Sequence, residues 1–185
     1  LSTYPDIQVE LSVTDRVVDL LEERADVALR SGVVSEPTLV ARRIASFERR
    51  LYASPSYLDA KGVPETPQDL ADRHKCIVQA SLAPTNWSFL VDSLRFDLAV
   101  HTQLQVDNAE AALRVALAGG GVARIAEMMA SESVRNGLLV PVLEAFHFND
   151  PISLSAVYPH SKHRAPKLRA FLDFVVSEFS RPPWK

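Results

Sequence analysis

Cysteine is almost absent. Cys76 is the only one in 185 residues, so no disulfide can form within the chain, and a reducing, cytoplasmic setting is expected. Long apolar runs are also missing. No stretch approaches the ~20 residues of a membrane-spanning helix, so no membrane partner is expected. Positive charge is not in excess: 20 Lys and Arg against 23 Asp and Glu give a net charge of −3 and a pI near 6.0. The basic footprint of a nucleic-acid-binding domain is therefore lacking. There is no G-x-S-x-G elbow, and no Lys-Ser or Lys-Thr follows the one glycine run. No nucleophile, base and orienting group stand out as a set, so no catalytic residues are assigned and an enzyme is not expected. His160 and His163 form H-x-x-H beside Lys162 and Arg164. No further ligands lie nearby, so the cluster reads as a solvated basic turn, and neither metal nor cofactor is expected. Repeats, low-complexity tracts and a secretion signal are missing too. The chain opens on "LSTYPD" without an initiator Met, which reads like the end of a helix and a turn, and residues upstream are expected.

What remains is a globular chain, 47% hydrophobic and 23% charged. "IQVELSV" (residues 7–13) alternates like a strand. "TDRVVDLLEERA" follows, with Thr14 placed to cap a helix, Asp15 in its first turn, and a broad apolar face from Val17, Val18, Leu20 and Leu21. "DVALRSG" is then a short strand. Strand, helix and strand make a βαβ unit, hence a parallel pair with a right-handed crossover. "LVARRIASFERRLYASP" is a long extended segment. "SPSYLDAKG" and "TPQDLADRH" each carry a capping hydroxyl followed by Pro, and Gly62 stops the first. Strand-like pieces "KCIVQA", "WSFL" and "LRFDLAVHTQLQV" follow.

"VDNAEAALRVALAGGG" opens a helix at Asp107-Asn108, where Asp107 and Glu110 fit a D-x-x-E capping box. It ends at Gly119, whose neighbours Gly120 and Gly121 permit close packing. A helix "AEMMASESVRNG" and strands "LLVPVL" and "ISLSAVYP" come next; Met128 and Met129 read as packing residues, and Cys76 as a buried strand residue. In the last helix Leu168, Phe171, Leu172, Val175, Val176 and Phe179 form one stripe. Pro166 starts it, and Pro182-Pro183 bar its continuation.

Six segments in this order, "YPDIQVELSVTDRVVDLLEERADVALRSG", "LVARRIASFERRLYASPSYL", "TPQDLADRHKCI", "VDNAEAALRVALAGGGVARIAEMM", "GLLVPVL" and "AVYPHSKHRAPKLRAFLDFV", resemble the effector-binding domain of LysR-type transcriptional regulators. The resemblance covers essentially the whole chain. It implies an α/β fold of the type II periplasmic-binding-protein kind: two Rossmann-like lobes joined by two crossover segments, with a small effector in the cleft. Lobe one would be residues 1–53 and 161–185, and lobe two residues 54–160. The winged helix-turn-helix that precedes such a domain is not in this sequence, nor are the usual first strand and helix of lobe one. Promoter DNA would be met only through that N-terminal domain. Without the first strand, residues 7–13 and 26–30 would lose ladder partners, at about 1–3 kcal/mol for each orphaned buried group. The gap would be filled by more of the chain or by a partner, or the two strands would close up.

The same resemblance points to cleft residues. Asn108 caps a helix whose mouth lies at the carboxyl end of a strand, where ligands collect. Thr14 and Asp15 hold the equivalent place in lobe one, and Arg30 and Ser31 end the next strand. Arg30 would grip a carboxylate in a bidentate pair, or else be held by Asp15 or Asp26. Ser54 is a cap first and a contact second. Trp87 would line the cleft or fill lobe two. The effector is expected to be polar or anionic. The resemblance also implies a homodimer, with a tetramer open for the full-length protein, in which Val17, Val18 and Leu21 of one subunit meet Ala112, Val115 and Ala116 of the other. An extracytoplasmic solute-binding protein of the same fold is the alternative, and an enzyme on this scaffold a third reading.

Overall fold

A computed structural model describes residues 4–80, 86–162, 165–180 and 184; His163, Arg164 and Pro182-Pro183 lie outside them. The chain divides into two compact units. Unit one takes the chain up to Ser46 and the segment from Ile152 through the last helix, and unit two is Phe47–Pro151 together with Trp184.

Unit one is a three-stranded sheet in the order β1, β10, β2, with β1 Ala28–Ser31, β2 Leu39–Phe47 and β10 Ile152–Pro159. The middle strand β10 is buried without a break from Leu154 to Pro159, as a strand covered on both faces must be. Helix α5, Pro166–Phe179, starts at its proline and packs through Leu168, Leu172 and Phe171 against Ala156 and Tyr158. The apolar stripe read from the sequence is the buried face.

The expected βαβ unit is not formed. Strand β1 runs antiparallel to β10, from Ala28 opposite Val157 to Ser31 opposite Leu154. Residues 7–13 have the alternation of a strand but no ladder partner among the described residues, so the pattern has nothing to pair with. The helix expected over residues 15–24 is reduced to turns. Asp19, not Thr14, opens them: its carboxylate accepts from the Leu21 N–H at 2.7 Å, and Arg24 closes them at φ 53°. A short helix is marginal unless tertiary packing holds it, and here Val17 is 83% exposed and Leu21 60%; Leu20 alone is buried.

Unit two is a mixed five-stranded sheet in the order β7, β4, β8, β3, β9. These are β3 Arg49–Ala53, β4 Cys76–Gln79, β7 Thr102–Val106, β8 Val122–Ala126 and β9 Val140–Pro141. Strand β4 is parallel to β7 and β8, whereas β3 is antiparallel to β8 and β9. Period-two alternation sorts the core. Val122, Cys76 and Val78 join Trp87 and Phe89 on one face. Ala123, Ile125 and Ile77 join Leu113 and Ala116 on the other.

The first face is covered by α1 Pro55–Lys61, α2 Pro67–Arg73 and the hairpin of β5 Asn86–Val91 and β6 Leu94–Ala99. The hairpin turns on Asp92 and Ser93 at φ 50° and 64°, the positive angles of a tight two-residue loop. The second face carries α3 Ala109–Leu117 and α4 Glu127–Arg135. The hydroxyls of Ser54 and Thr66 accept from the N–H of Tyr57 (3.3 Å) and of Asp69 (3.1 Å), so both expected caps form.

Gly119 follows α3 at φ 81°, and a Cβ on Gly120 would run into Val115. A Cβ on Gly121 would strike the Lys75 carbonyl, so close packing does account for the triplet.

Candidate functional site

Because β4, β7 and β8 run the same way, their carboxyl ends form one edge of the unit-two sheet. That edge carries Gln79, then Asp107-Asn108 after β7, and Glu127 after β8. The antiparallel β3 enters there with Glu48 and Arg49. Ligands of open α/β sheets gather at such an edge, where helix N-termini point outward.

Asn108 is the N-cap of α3, its side-chain oxygen accepting from the Ala111 N–H at 2.8 Å. Its amide nitrogen donates to the Asp107 carboxylate at 2.9 Å. The D-x-x-E capping box is therefore displaced: with Asn108 as cap, Glu110 falls one position short and pairs with Arg114 at 2.7 Å instead. Asp107 and Glu110 bring negative charge to the helix mouth, which already complements the dipole there.

Three strands along the same edge, at the start of β3, Glu48 is the hub of a polar network. Its backbone N–H donates to the Glu127 carboxylate at 3.2 Å, and its carbonyl accepts from the Glu127 N–H at 2.9 Å. Its carboxylate meets His147 Nε2 at 2.8 Å and Arg50 at 3.1 Å, and Arg50 reaches Glu144 at 3.6 Å. The edge is thus stocked with acceptors and orientable donors. It suits a polar molecule better than a bare anion.

The other expected site residues fall elsewhere. Ser54 is 2% exposed and caps α1 at the end of β3. Since β3 is antiparallel to its neighbour, that end adjoins Val122 and Cys76, the amino ends of β8 and β4. Asn108 and Ser54 therefore sit at opposite edges, about 13 Å apart along a four-residue strand.

In unit one, Thr14 is exposed and its hydroxyl accepts from the Arg16 N–H, at 3.2 Å. Asp15 and Ser31 are exposed as well. Arg30 is held by an acidic neighbour, but by Glu36 at 2.8 Å rather than Asp15 or Asp26, and it also donates to the Val18 carbonyl. Its charge is already matched. Asp26 pairs instead with Lys162 at 3.0 Å and Lys167 at 2.5 Å, which hold its carboxyl below the usual range.

The residues expected at a subunit contact lie as follows. Ala112 and Ala116 are 3% and 0% exposed and pack onto their own sheet, with Val115 partly buried beside them. The small-residue face of α3 serves this monomer's core. Val17 and Val18 lie in irregular backbone and Leu21 in a turn, not in a helix.

The first face of the sheet holds a feature that the sequence reading did not find. A small cavity of ≈ 20 Å³, room for about one water, is lined by Arg124, Arg49, Trp87, Phe89, Glu144 and His147, among others. The signal was present: in "GVARIA" the alternation places Arg124 in phase with core Val122. Trp87 fills lobe two as one alternative had it, at 5% exposure, and it walls this cavity. Cys76 is fully buried, which pushes its thiol up to about 12. Among the described residues no cluster of side chains could hold a metal, and no helix is long and apolar enough to cross a membrane.

Comparison with known proteins agrees with this architecture. The family model described as the LysR substrate binding domain matches residues 1–180. An HTH-type transcriptional repressor of Pseudomonas aeruginosa is 32% identical over 182 residues, which are 97% of this chain and 57% of that protein. The regulator CrgA of Neisseria meningitidis is 28% identical over 175 residues, 95% of this chain and 58% of its own length. The chain thus spans little more than half of such relatives. The solved CrgA regulatory domain superposes with a TM-score of 0.88 at 28% identity, over 96% of this chain and 87% of that one. The effector domain of AmpR of Pseudomonas aeruginosa, at 19% identity, shares the fold with a TM-score of 0.77. The chain belongs to the LysR substrate-binding domain family, with its type II periplasmic-binding-protein-like fold, and is the effector-binding domain of a LysR-type transcriptional regulator.

Proposed function

We propose that this domain senses a small polar effector at the carboxyl edge of the unit-two sheet, at the mouth of α3, and thereby biases promoter binding by a helix-turn-helix segment elsewhere in the full-length cytoplasmic protein. The observation that carries the reading is Asn108 capping α3 at the carboxyl edge of the sheet, an edge that also holds the Glu48–His147–Arg50 network three strands away, in a chain whose relatives are named as HTH-type regulators. The effector acts to the extent that it binds one arrangement of the protein better than another. With net charge −3 the domain by itself has no phosphate-binding surplus.

A thermal-shift screen of small polar metabolites, followed by calorimetry, tests the reading. The informative variant is Asn108→Asp, which keeps an equally good cap but replaces an amide donor with a carboxylate. The expected result is at least tenfold weaker effector binding with the melting temperature unchanged. Equal affinity in the variant would move the site away from α3. Sequence-specific DNA binding by this domain alone at physiological salt would contradict the division of labour.

A further inference from the structure

The hairpin over the first face of unit two leaves one edge of its sheet open. Strand β6 pairs with β5 in a single register, from Asn86 opposite Ala99 to Val91 opposite Leu94. The far flank of β5 is bridged at Phe89 by His147, but among the described residues no strand lies beyond β6. In a two-residue hairpin the pair flanking the loop exchanges both backbone bonds, and the pattern alternates from there. Leu94, Phe96 and Leu98 therefore turn their N–H and C=O groups toward β5. Arg95, Asp97 and Ala99 turn theirs outward, and all three residues are exposed.

Such an edge accepts a further strand unless it is blunted. The sequence of β6, "LRFDLA", holds no Pro, and its register has no bulge. Leu94 is 72% exposed and Phe96 43%, although both stand on the face that carries Phe89. On the opposite face Arg95 and Asp97 stand two residues apart and meet at 2.9 Å, and Asp97 also accepts from the Ser88 hydroxyl at 2.6 Å.

These charges select the occupant. Like charges directly opposite across a ladder repel, and opposite charges attract. In an antiparallel pair of two β6 strands, residues that turn their bonds outward must oppose one another. Centring the pair on Arg95 or on Asp97 sets that residue against its own copy. Centring it on Leu94 or Leu98 leaves half of the strand or less in contact. Centring it on Phe96 sets Arg95 of each copy against Asp97 of the other, Phe96 against Phe96, and Leu94 against Leu98. The strand is complementary to itself in that register.

We propose that two copies of this chain associate through β6, antiparallel about Phe96, and join their hairpins into one four-stranded sheet. The contact is isologous. It uses neither α3 nor residues 17–21, so it is distinct from the subunit contact expected from the sequence, and it does not rest on the effector reading. A single six-residue edge falls below the ~1,200 Å² of a standard interface, so the association is weak and depends on concentration.

Sedimentation equilibrium over a concentration series reads it. Arg95→Asp alone and Asp97→Arg alone each set like charges across the pair, and each should stay monomeric where the parent chain dimerises. An equimolar mixture of the two should associate at least tenfold more tightly than either alone, since every cross-strand pair is then opposite. The double exchange Arg95→Asp with Asp97→Arg should dimerise like the parent. Facing Cα atoms at the central position lie about 4.5 Å apart, within disulfide reach. Phe96→Cys should therefore cross-link to its own copy under mild oxidation, and Leu94→Cys much more slowly; Cys76 is buried and does not compete. A parent chain that stays monomeric at every concentration overturns the proposal and leaves the edge to a strand of another protein. A dimer that survives either single charge reversal puts the contact elsewhere and refutes it as well. A mixture no tighter than its components excludes this register. If the charge variants melt well below the parent, the comparison of Phe96→Cys with Leu94→Cys decides: equal cross-linking sinks the assignment.

Discussion

Replacing Gly121 with alanine probes how tightly unit two is closed. Gly121 leads into β8 at φ 152°, and its missing Cβ would sit against the carbonyl oxygen of Lys75. That oxygen accepts the Val122 N–H at 2.8 Å, next to the paired Cys76 and Val122, both 0% exposed. The obstacle is backbone, not the end of a flexible side chain, so the first step of the β4–β8 ladder must open. The backbone angle costs about 1–3 kcal/mol, and weakening a buried hydrogen bond costs a similar amount. Crowding of the packed surroundings adds about 1–3 kcal/mol, and a single shift relieves part of each, so about 3–5 kcal/mol is expected in all. Against a typical stability of about 5–15 kcal/mol, unit two would become marginal. Gly137 is the control: its φ is 69° with nothing within 4 Å of a Cβ, so Gly137→Ala should cost only the left-handed penalty, about 1–2 kcal/mol. Urea unfolding followed by circular dichroism and tryptophan fluorescence reads both. A loss in Gly121→Ala no larger than in Gly137→Ala would refute the close-approach argument.

Leu172→Ala should leave a cavity under α5, where Leu172 is 6% exposed, and lower stability by about 2–4 kcal/mol in the same assay. Amide exchange should be fast throughout residues 7–13 and slow in β3 and β8, and protection of residues 7–13 in the isolated domain would contradict the unpaired segment. The Cys76 thiol, pushed by burial from 9.0 up to about 12, should resist thiol reagents until the protein unfolds. Between those values the unfolded thiol releases its proton while the folded one keeps it, so stability is complete below pH 9 and falls as pH rises; Cys76→Ala should flatten that slope. His74 gives the opposite slope. Burial lowers its pKa from 6.5, so the unfolded state takes up the proton first, and stability falls as pH drops below that value; His74→Gln should remove the dependence.

Much of unit two and of α5 was legible because local chemistry decides it. Ser54, Thr66 and Asn108 each carry the one short polar group that caps a helix, and the α5 stripe has a single helical period. Residues 7–24 show where that reading stops. Alternation is necessary for a strand and an apolar face for a helix, but both need something to pack against, and no neighbour for residues 7–13 is among the described residues. The capping box, read one residue early, needed the observed N-cap to be placed.

The sequence by itself determined the class of the domain and its capped helices, because these follow from short-range spacing and from six ordered segments. Tertiary structure decided the rest. The antiparallel setting of β3 carried Ser54 to the edge opposite Asn108, Glu36 rather than an expected neighbour took up Arg30, and α3 turned Ala112 and Ala116 onto its own sheet. It also placed Arg124 among aromatic rings contributed from β5 and the segment after β9. Strand direction and the pairing of charges distant in sequence depend on which elements meet. No local pattern specifies that, because the energy separating the choices lies in contacts that exist only once the chain has closed on itself.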